Sequence, residues 1–238
     1  MPLPKPPVPT YELTIPSSGK KIQYRPFLVK EEKVLLIAME SEDTKQIKDA
    51  VVQILKNCIL TRNVKLETLA MFDIEYIFLR IRSKSVGESV EMRLICKDDN
   101  ETEVTYDLDL DAVEIQYPEG HDKKIALDET SGLIMKYPGY DQFVKTQILQ
   151  KEPSTAEVFD IVIDSVDKIY NGEEVWDSST TSRKEIAEYV EGLTTKQFEK
   201  IQQFFATTPK LAHTIKVMNP NTGVESTFEI EGLVNFFA

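Results

Sequence analysis

An amphipathic helix that runs straight into an alternating β-hairpin occurs twice in this chain, over Leu66–Leu110 and again over Leu193–Leu233. In the first stretch Leu66, Leu69, Ile74, Ile77, Phe78 and Ile81 recur at helical spacing. Ser89–Cys96 and Glu103–Leu110 then alternate apolar and polar residues on either side of the polar turn Lys97–Glu101. In the second, Leu193, Phe198, Ile201, Phe204 and Phe205 form the helical stripe, and His213–Met218 and Ser226–Glu231 alternate around Asn219–Gly223. Neither a lone helix nor a lone two-stranded hairpin buries its apolar face, so each must pack on the other or on a neighbour. The pattern predicts an α+β chain of helical groups flanked by antiparallel β-hairpins, with an internal duplication. Its parts are a proline-rich arm at 1–10 and two hairpin-helices-hairpin halves, 11–117 and 118–238.

The rest of the chain fits this order. Five prolines in the first nine residues forbid helix and favour an extended arm, either frayed or laid across a partner. Tyr11–Ile15 and Lys21–Tyr24 read as a hairpin around Pro16–Gly19. A helix follows over about Lys30–Met39, with Val34, Leu35, Ile37 and Ala38 as its apolar face. Ser41, Glu42 and Asp43 then open a second helix carrying Ile47, Val51, Ile54, Leu55 and Cys58. In the second half, Lys123–Leu127 and Leu133–Lys136 pair across Asp128–Gly132, and helices are expected over 139–150 and 154–170. Three capping boxes, Ser154 with Glu157, Ser182 with Glu185 and Thr194 with Gln197, mark helix starts, because each pair satisfies two free backbone amides. Asn171–Thr181 reads as an exposed loop. Its one large apolar residue, Trp176, either folds back on its own core or serves an interface.

Forty acidic residues against 28 basic ones, a net charge of −12, argue against sequence-independent nucleic-acid binding, which needs Lys and Arg to displace phosphate counterions. No run approaches the 18 or so apolar residues of a membrane span, and Met1–Thr10 has no apolar core of a signal peptide. Cys58 and Cys96 read as buried thiols in a reducing compartment. The only histidines, His121 in a turn and His213 at a strand start, have no second ligand or nucleophile at a useful spacing. The Cys96–Glu101 turn has the shape of a zinc-ribbon knuckle without a partner knuckle, and reads as a solvated tip. Asp107, Asp109 and Asp111 at alternate positions read as the wet face of a hairpin rather than a catalytic pair. No catalytic residue, cofactor site or metal site is expected.

Tyr11–Lys20, Ile22–Lys33 with its Arg25-Pro-Phe-Leu-Val-Lys-Glu-Glu-Lys33 core, and Leu36–Glu42 resemble the baseplate hub subunit family of T-even-type (T4-like) contractile-tailed phages. Lys84-Ser-Val-Gly-Glu88 and the closing Glu231–Phe237 are similar to the same family. The chain departs from relatives that carry more cysteine in the Cys96 hairpin, which removes any inherited metal site. The resemblance implies a non-enzymatic protein of the tail baseplate hub. It would be either a component retained in the virion or an assembly chaperone that escorts a hub or tape-measure protein and leaves. Its partners would be other baseplate or tail proteins, with self-association open and no nucleic acid or membrane, and it would act in the host cytoplasm during assembly.

Arg25, Phe27, Glu31, Trp176, Phe236 and Phe237 are the candidate partner contacts. The Arg25–Lys33 segment sets an apolar triplet beside dense mixed charge, and reads either as a contact surface or as a core-entry turn with Phe27 and Leu28 buried. The apolar C-terminus, with Leu233, Val234, Phe236 and Phe237, should be docked on its own domain or on a partner, since burial of each side chain is worth roughly 1.5 to 3 kcal/mol.

Overall fold

A computed structural model describes residues 6–41, 43–139 and 154–232. The chain is α+β, its strands forming small antiparallel sheets, and it falls into two compact units: residues 1–116 with 210–238, and residues 117–209.

The first unit is organised on one buried helix. Strands β1 (Tyr11–Thr14) and β2 (Lys21–Tyr24) form the expected hairpin, with Leu13 opposite Ile22. Helices α1 (Val29–Glu40) and α2 (Thr44–Cys58) follow, the second capped by the Asp43 carboxylate, which accepts the Lys45 and Gln46 N–H groups. After a 3-10 turn at Leu66–Thr68, α3 (Met71–Val86) begins. The helix anticipated from Leu66 therefore breaks before Met71. Buried Asp73 closes the new start by accepting the Ala70 N–H, and it also binds the Ser17 N–H and hydroxyl of the first hairpin turn. Phe72, Ile74, Ile77, Phe78, Leu79 and Ile81 are all within 1% of full burial, so α3 is apolar on more than one face because it is covered on more than one face.

Beyond α3, β3 (Ser89–Ile95) and β4 (Glu103–Asp109) form the second hairpin. A 3-10 turn at Leu110–Ala112 leads to β5 (Glu114–Gln116). This strand pairs with β10 (Lys210–Met218), which pairs in turn with β11 (Glu225–Glu231). The C-terminal hairpin, expected at the close of the second half, thus lies in a sheet with β5 of the first.

The second unit is a four-stranded antiparallel sheet ordered β6 (Lys124–Ala126), β7 (Ser131–Met135), β8 (Val166–Asn171) and β9 (Glu174–Asp177). Leu133, Met135, Val166 and Ile169 of the sheet share a core with Val162 of α4 (Thr155–Ser165), Ile186 and Val190 of α5 (Arg183–Glu191) and Ile201 and Phe204 of α6 (Thr195–Ala206). All three capping boxes form as anticipated.

Two expectations change here. The helix from Ser154 stops at Ser165, and 166–171 is a strand, because β7 and β9 supply ladder partners on both sides. The supposed loop 171–181 begins as a hairpin, in which Asn171 pairs with Glu174 and the chain turns at Gly172-Glu173, with Gly172 at φ 60°, the left-handed conformation that glycine adopts without strain. The helix anticipated over 139–150 lies almost wholly outside the described residues. The helix-then-hairpin order does recur, as α3-β3-β4 and α6-β10-β11. However, α6 belongs to the second unit and its hairpin to the first, so the recurrence is one of order along the chain and no repeated packing unit is seen.

Candidate partner surfaces and the buried polar sites

The Arg25–Lys33 junction is built from the inside. Phe27 is buried, and its N–H donates to Ser85 Oγ at 2.9 Å. Glu31, 2% exposed, takes the Arg25 guanidinium on one oxygen at 3.0 Å and the Leu28 N–H on the other at 2.8 Å, so it caps α1 from its third position. Arg25 also donates to the Pro26 carbonyl at 2.8 Å. Burial pushes the Glu31 carboxyl up, but the Arg25 and Leu28 hydrogen bonds with the Arg25 and Lys30 charges together outweigh it and hold it below its ordinary value. Burial pushes the neighbouring Cys58 thiol up to about 11, so it is an inert core group.

Arg25, Phe27 and Glu31 therefore face this unit's own interior. Leu28, half of the anticipated buried pair, is 36% exposed.

The outward apolar surface lies along α1 itself. Ala38 is buried, but Val29, Leu36 and Ile37 are 80%, 54% and 52% exposed, and Met39 is also exposed. Ile37, expected on the core face, points to solvent; the face that packs holds Ala38 with half-buried Val34 and Leu35. A second exposed apolar site sits on edge strand β9. Ile125, Leu133, Ile169 and Trp176 lie opposite one another across the sheet; the first three are buried, while Trp176, at the edge, is 42% exposed, beside Val175 at 58%. Phe236 and Phe237 lie outside the described residues.

The remaining conspicuous residues have structural partners. His121, expected on a surface turn, is half-buried in a three-ring cluster with Tyr137 and Phe204, its ring centroid 5.5 and 5.2 Å from theirs, which lie 5.8 Å from each other. Its nitrogens lie 3.0 Å from Thr207 Oγ1 and 3.1 Å from the Tyr137 hydroxyl, and burial lowers its pKa.

Asp111 is not on the β4 face with Asp107 and Asp109. It sits in the 3-10 turn, where it meets Lys84 at 2.7 Å, Ser83 at 2.8 Å and Arg80 at 3.4 Å. Arg80, buried in α3, also donates to the Leu110 and Val113 carbonyls at 2.8 and 2.7 Å. This explains the Lys84–Glu88 motif: Lys84 bridges Asp111 and Glu88 and so ties the end of α3 to the base of the hairpin. The Cys96–Glu101 turn, expected to be solvated, has Asp98 and Asp99 engaged by Asn219 and Thr222 of the last hairpin.

Among the described residues no group of three or more His, Cys, Asp or Glu side chains is placed to hold a metal ion, and no helix is long and apolar enough to cross a membrane. Among the described residues the exposed apolar side chains of α1 and β9 are the candidate contact surfaces. Residues 8–238 match the model of a family described as T4 bacteriophage base plate protein. No curated protein and no solved structure matches the chain.

Proposed function

We propose, from the premise that the chain belongs to the T4 bacteriophage base plate protein family, that it is a non-enzymatic component or assembly factor of the baseplate central hub. The family makes it a phage tail protein whose partners are other tail and baseplate proteins. The hub itself and the absence of an activity are the proposed part. The observation that carries the reading is the exposure of apolar side chains at two places, Val29, Leu36, Ile37 and Met39 on α1 and, on opposite faces of edge strand β9, Val175 and Trp176. Exposed aromatic and aliphatic anchors rimmed by charge are what protein partners bury. Of the sequence candidates, Trp176 makes direct contact, while Arg25, Phe27 and Glu31 hold the junction from which α1 presents its face. Phe236 and Phe237 remain proposed contacts through the C-terminal segment. Self-association through the same patches is compatible, and nucleic acid and membrane are not partners in this reading.

The acidic net charge keeps a second role open, that of a chaperone which escorts a basic hub or tape-measure protein and is absent from the finished virion. Mass spectrometry of purified particles separates the two, since a retained subunit is found at fixed stoichiometry and a chaperone only in infected-cell lysate. L36E/I37E and W176A chains that capture baseplate proteins as well as wild type would overturn the assignment of these patches. Turnover of peptidoglycan, nucleic acid or nucleotide above a heat-inactivated control would overturn the non-enzymatic reading.

A further inference from the structure

Two turns in the first unit share a bond from the N–H of the fifth residue to the carbonyl of the first, with that fifth residue left-handed, though the β3–β4 turn closes on the residue six further on and the β10–β11 turn on the one five further on. In the β3–β4 turn the Cys96 N–H donates to the Thr102 carbonyl at 2.8 Å and the Asn100 N–H to the Cys96 carbonyl at 2.9 Å, with Asn100 at φ 56°. In the β10–β11 turn the Asn219 N–H donates to the Val224 carbonyl at 2.9 Å and the Gly223 N–H to the Asn219 carbonyl at 2.9 Å, with Gly223 at φ 73°. Cys96 and Asn219 therefore hold equivalent positions. So do Asp99 and Thr222 three residues on, and the left-handed Asn100 and Gly223 after them. This is the backbone of a C-x2-C knuckle, in which the first and fourth side chains serve as ligands. Only one of the four ligand positions holds a cysteine.

The two turns face one another. The Asn219 amide, fully buried, donates through Nδ2 to both Asp98 oxygens at 3.1 Å and to Asp99 at 2.9 Å. Its Oδ1 accepts the Asn221 N–H at 2.9 Å within its own turn, which fixes which end of the amide points at the carboxylates. The Thr222 hydroxyl donates to Asp98 at 2.5 Å, Asn221 Nδ2 to Thr102 at 3.0 Å and the Lys97 N–H to Ser226 at 3.0 Å. Cys96 is fully buried at the base of its turn.

We infer that the facing turns are a metal-knuckle pair closed without metal. Cys96, Asp99, Asn219 and Thr222 stand at the four ligand positions, and the Asn219 amide hydrogens supply, between the two turns, the positive partner that a divalent ion would otherwise provide. Asn and Thr side chains are neutral and are not among the usual ligands of structural zinc, whereas an amide donor satisfies carboxylates at hydrogen-bond distance without a cation. The clasp ties the hairpin that follows α3 to the hairpin that ends the chain. It does so over a sequence separation of about 120 residues.

The test restores the ligands in the full-length chain. D99C/N219C/T222C, which with Cys96 provides four thiols, should bind one Co2+ per chain with the intense thiolate charge-transfer and tetrahedral d–d bands of a four-sulfur site. Zn2+ should displace it and raise the variant's melting temperature. Wild type should show neither. A folded triple variant that gives no tetrahedral cobalt spectrum overturns the inference, and so does stoichiometric zinc on the wild-type chain. Where the triple variant is insoluble, D99C/N219C carries the same test as a three-thiol site. Failure of both to fold in zinc-supplemented medium also overturns the inference, since the four positions would then not accept metal-knuckle ligands.

Discussion

Removing the Glu31 carboxylate should cost more than the loss of an ordinary surface ion pair. The Glu31 and Arg25 side chains are 3% and 14% exposed, so solvent screens the pair poorly. Glu31→Ala leaves a guanidinium with only the Pro26 carbonyl and weak Cys58 contacts, and it strips the Leu28 N–H of its acceptor. Breaking a buried pair on one side costs about 3–5 kcal/mol, reduced here because Arg25 keeps the Pro26 bond and some solvent; loss of the cap adds about 0.5–2 kcal/mol. A net loss of roughly 2–4 kcal/mol follows, a large part of the roughly 5–15 kcal/mol that holds a domain. Arg25→Ala should cost less, because Glu31 retains the Leu28 N–H and the Lys30 charge at 3.4 Å. The double variant should cost less than the sum, with coupling of about 1 kcal/mol or more. Urea titration of all four proteins, followed by circular dichroism, measures the cycle. Additive losses, or a Glu31→Ala midpoint within error of wild type, would refute the reasoning. The Glu31 carboxyl is held low, so its stabilisation is present above the unfolded value near 4.3 and lost as pH falls through the lower folded value. Glu31→Gln should flatten that acid limb.

Asp98, Asp99 and Asp128 are also held low, the first by Thr222 and Asn219, the second by Thr102 and its turn amides, and Asp128, at about 2, by Ser131 and the Thr130 and Ser131 amides. The same sign holds, so thermal melts at pH 5 and pH 2.5 should show a loss at the lower pH that D98N and D99N reduce. Burial lowers the His121 pKa, so its contribution is present above its unfolded value near 6.5 and fades as pH falls below that; H121Q should remove this component from a pH series of melts. Gly132 lies under Tyr170, where a Cβ would collide with the tyrosine and the Ile125 carbonyl, so Gly132→Ala should destabilise by about 1–3 kcal/mol in urea titration while Gly132→Ala/Tyr170→Ala recovers part of it. Trp176→Ala, removing a side chain already 42% exposed, should shift the melting temperature by only a few degrees yet weaken capture of baseplate proteins in co-purification.

Element type was legible wherever local chemistry decided it. The three capping boxes and the alternating runs of β1 to β4 and of β10 and β11 each carry their own signal, and each forms where the sequence puts it. The strand at 166–171 is hidden in the sequence because Val166, Ile169 and Tyr170 continue the helical spacing of Val158, Val162 and Ile163. Periodicity alone could not end the helix. The signal that can is Gly172 ahead of Glu173, a Gly-X pair suited to a two-residue hairpin turn with strands on both sides. The grouping of residues was less legible than their types. Nothing local to Lys210–Glu231 says that β10 pairs with β5, nearly a hundred residues earlier, because a ladder partner is chosen by tertiary packing.

The partner surfaces show the same division more sharply. A charged, apolar-rich segment such as Arg25–Lys33 looks like a contact surface in sequence, yet its chemistry is consumed internally. Glu31 can cap α1 only by pointing inward, and once inward it needs Arg25 beside it. Conversely Ile37 looks like a core residue, and α1 has no polar face clean enough to say otherwise. With Val34, Leu35, Leu36, Ile37 and Ala38 consecutive, the sequence supplies apolar residues all round, and only one stripe can be packed on this unit. The surplus stripe is therefore where a partner is expected. Replacing it should separate folding from assembly: L36E/I37E alters side chains that are 54% and 52% exposed, so the chain should stay soluble and melt within a few degrees of wild type, while baseplate capture falls. If that variant instead unfolds or aggregates with its capture defect, the stripe is packed within this chain and the partner must dock elsewhere.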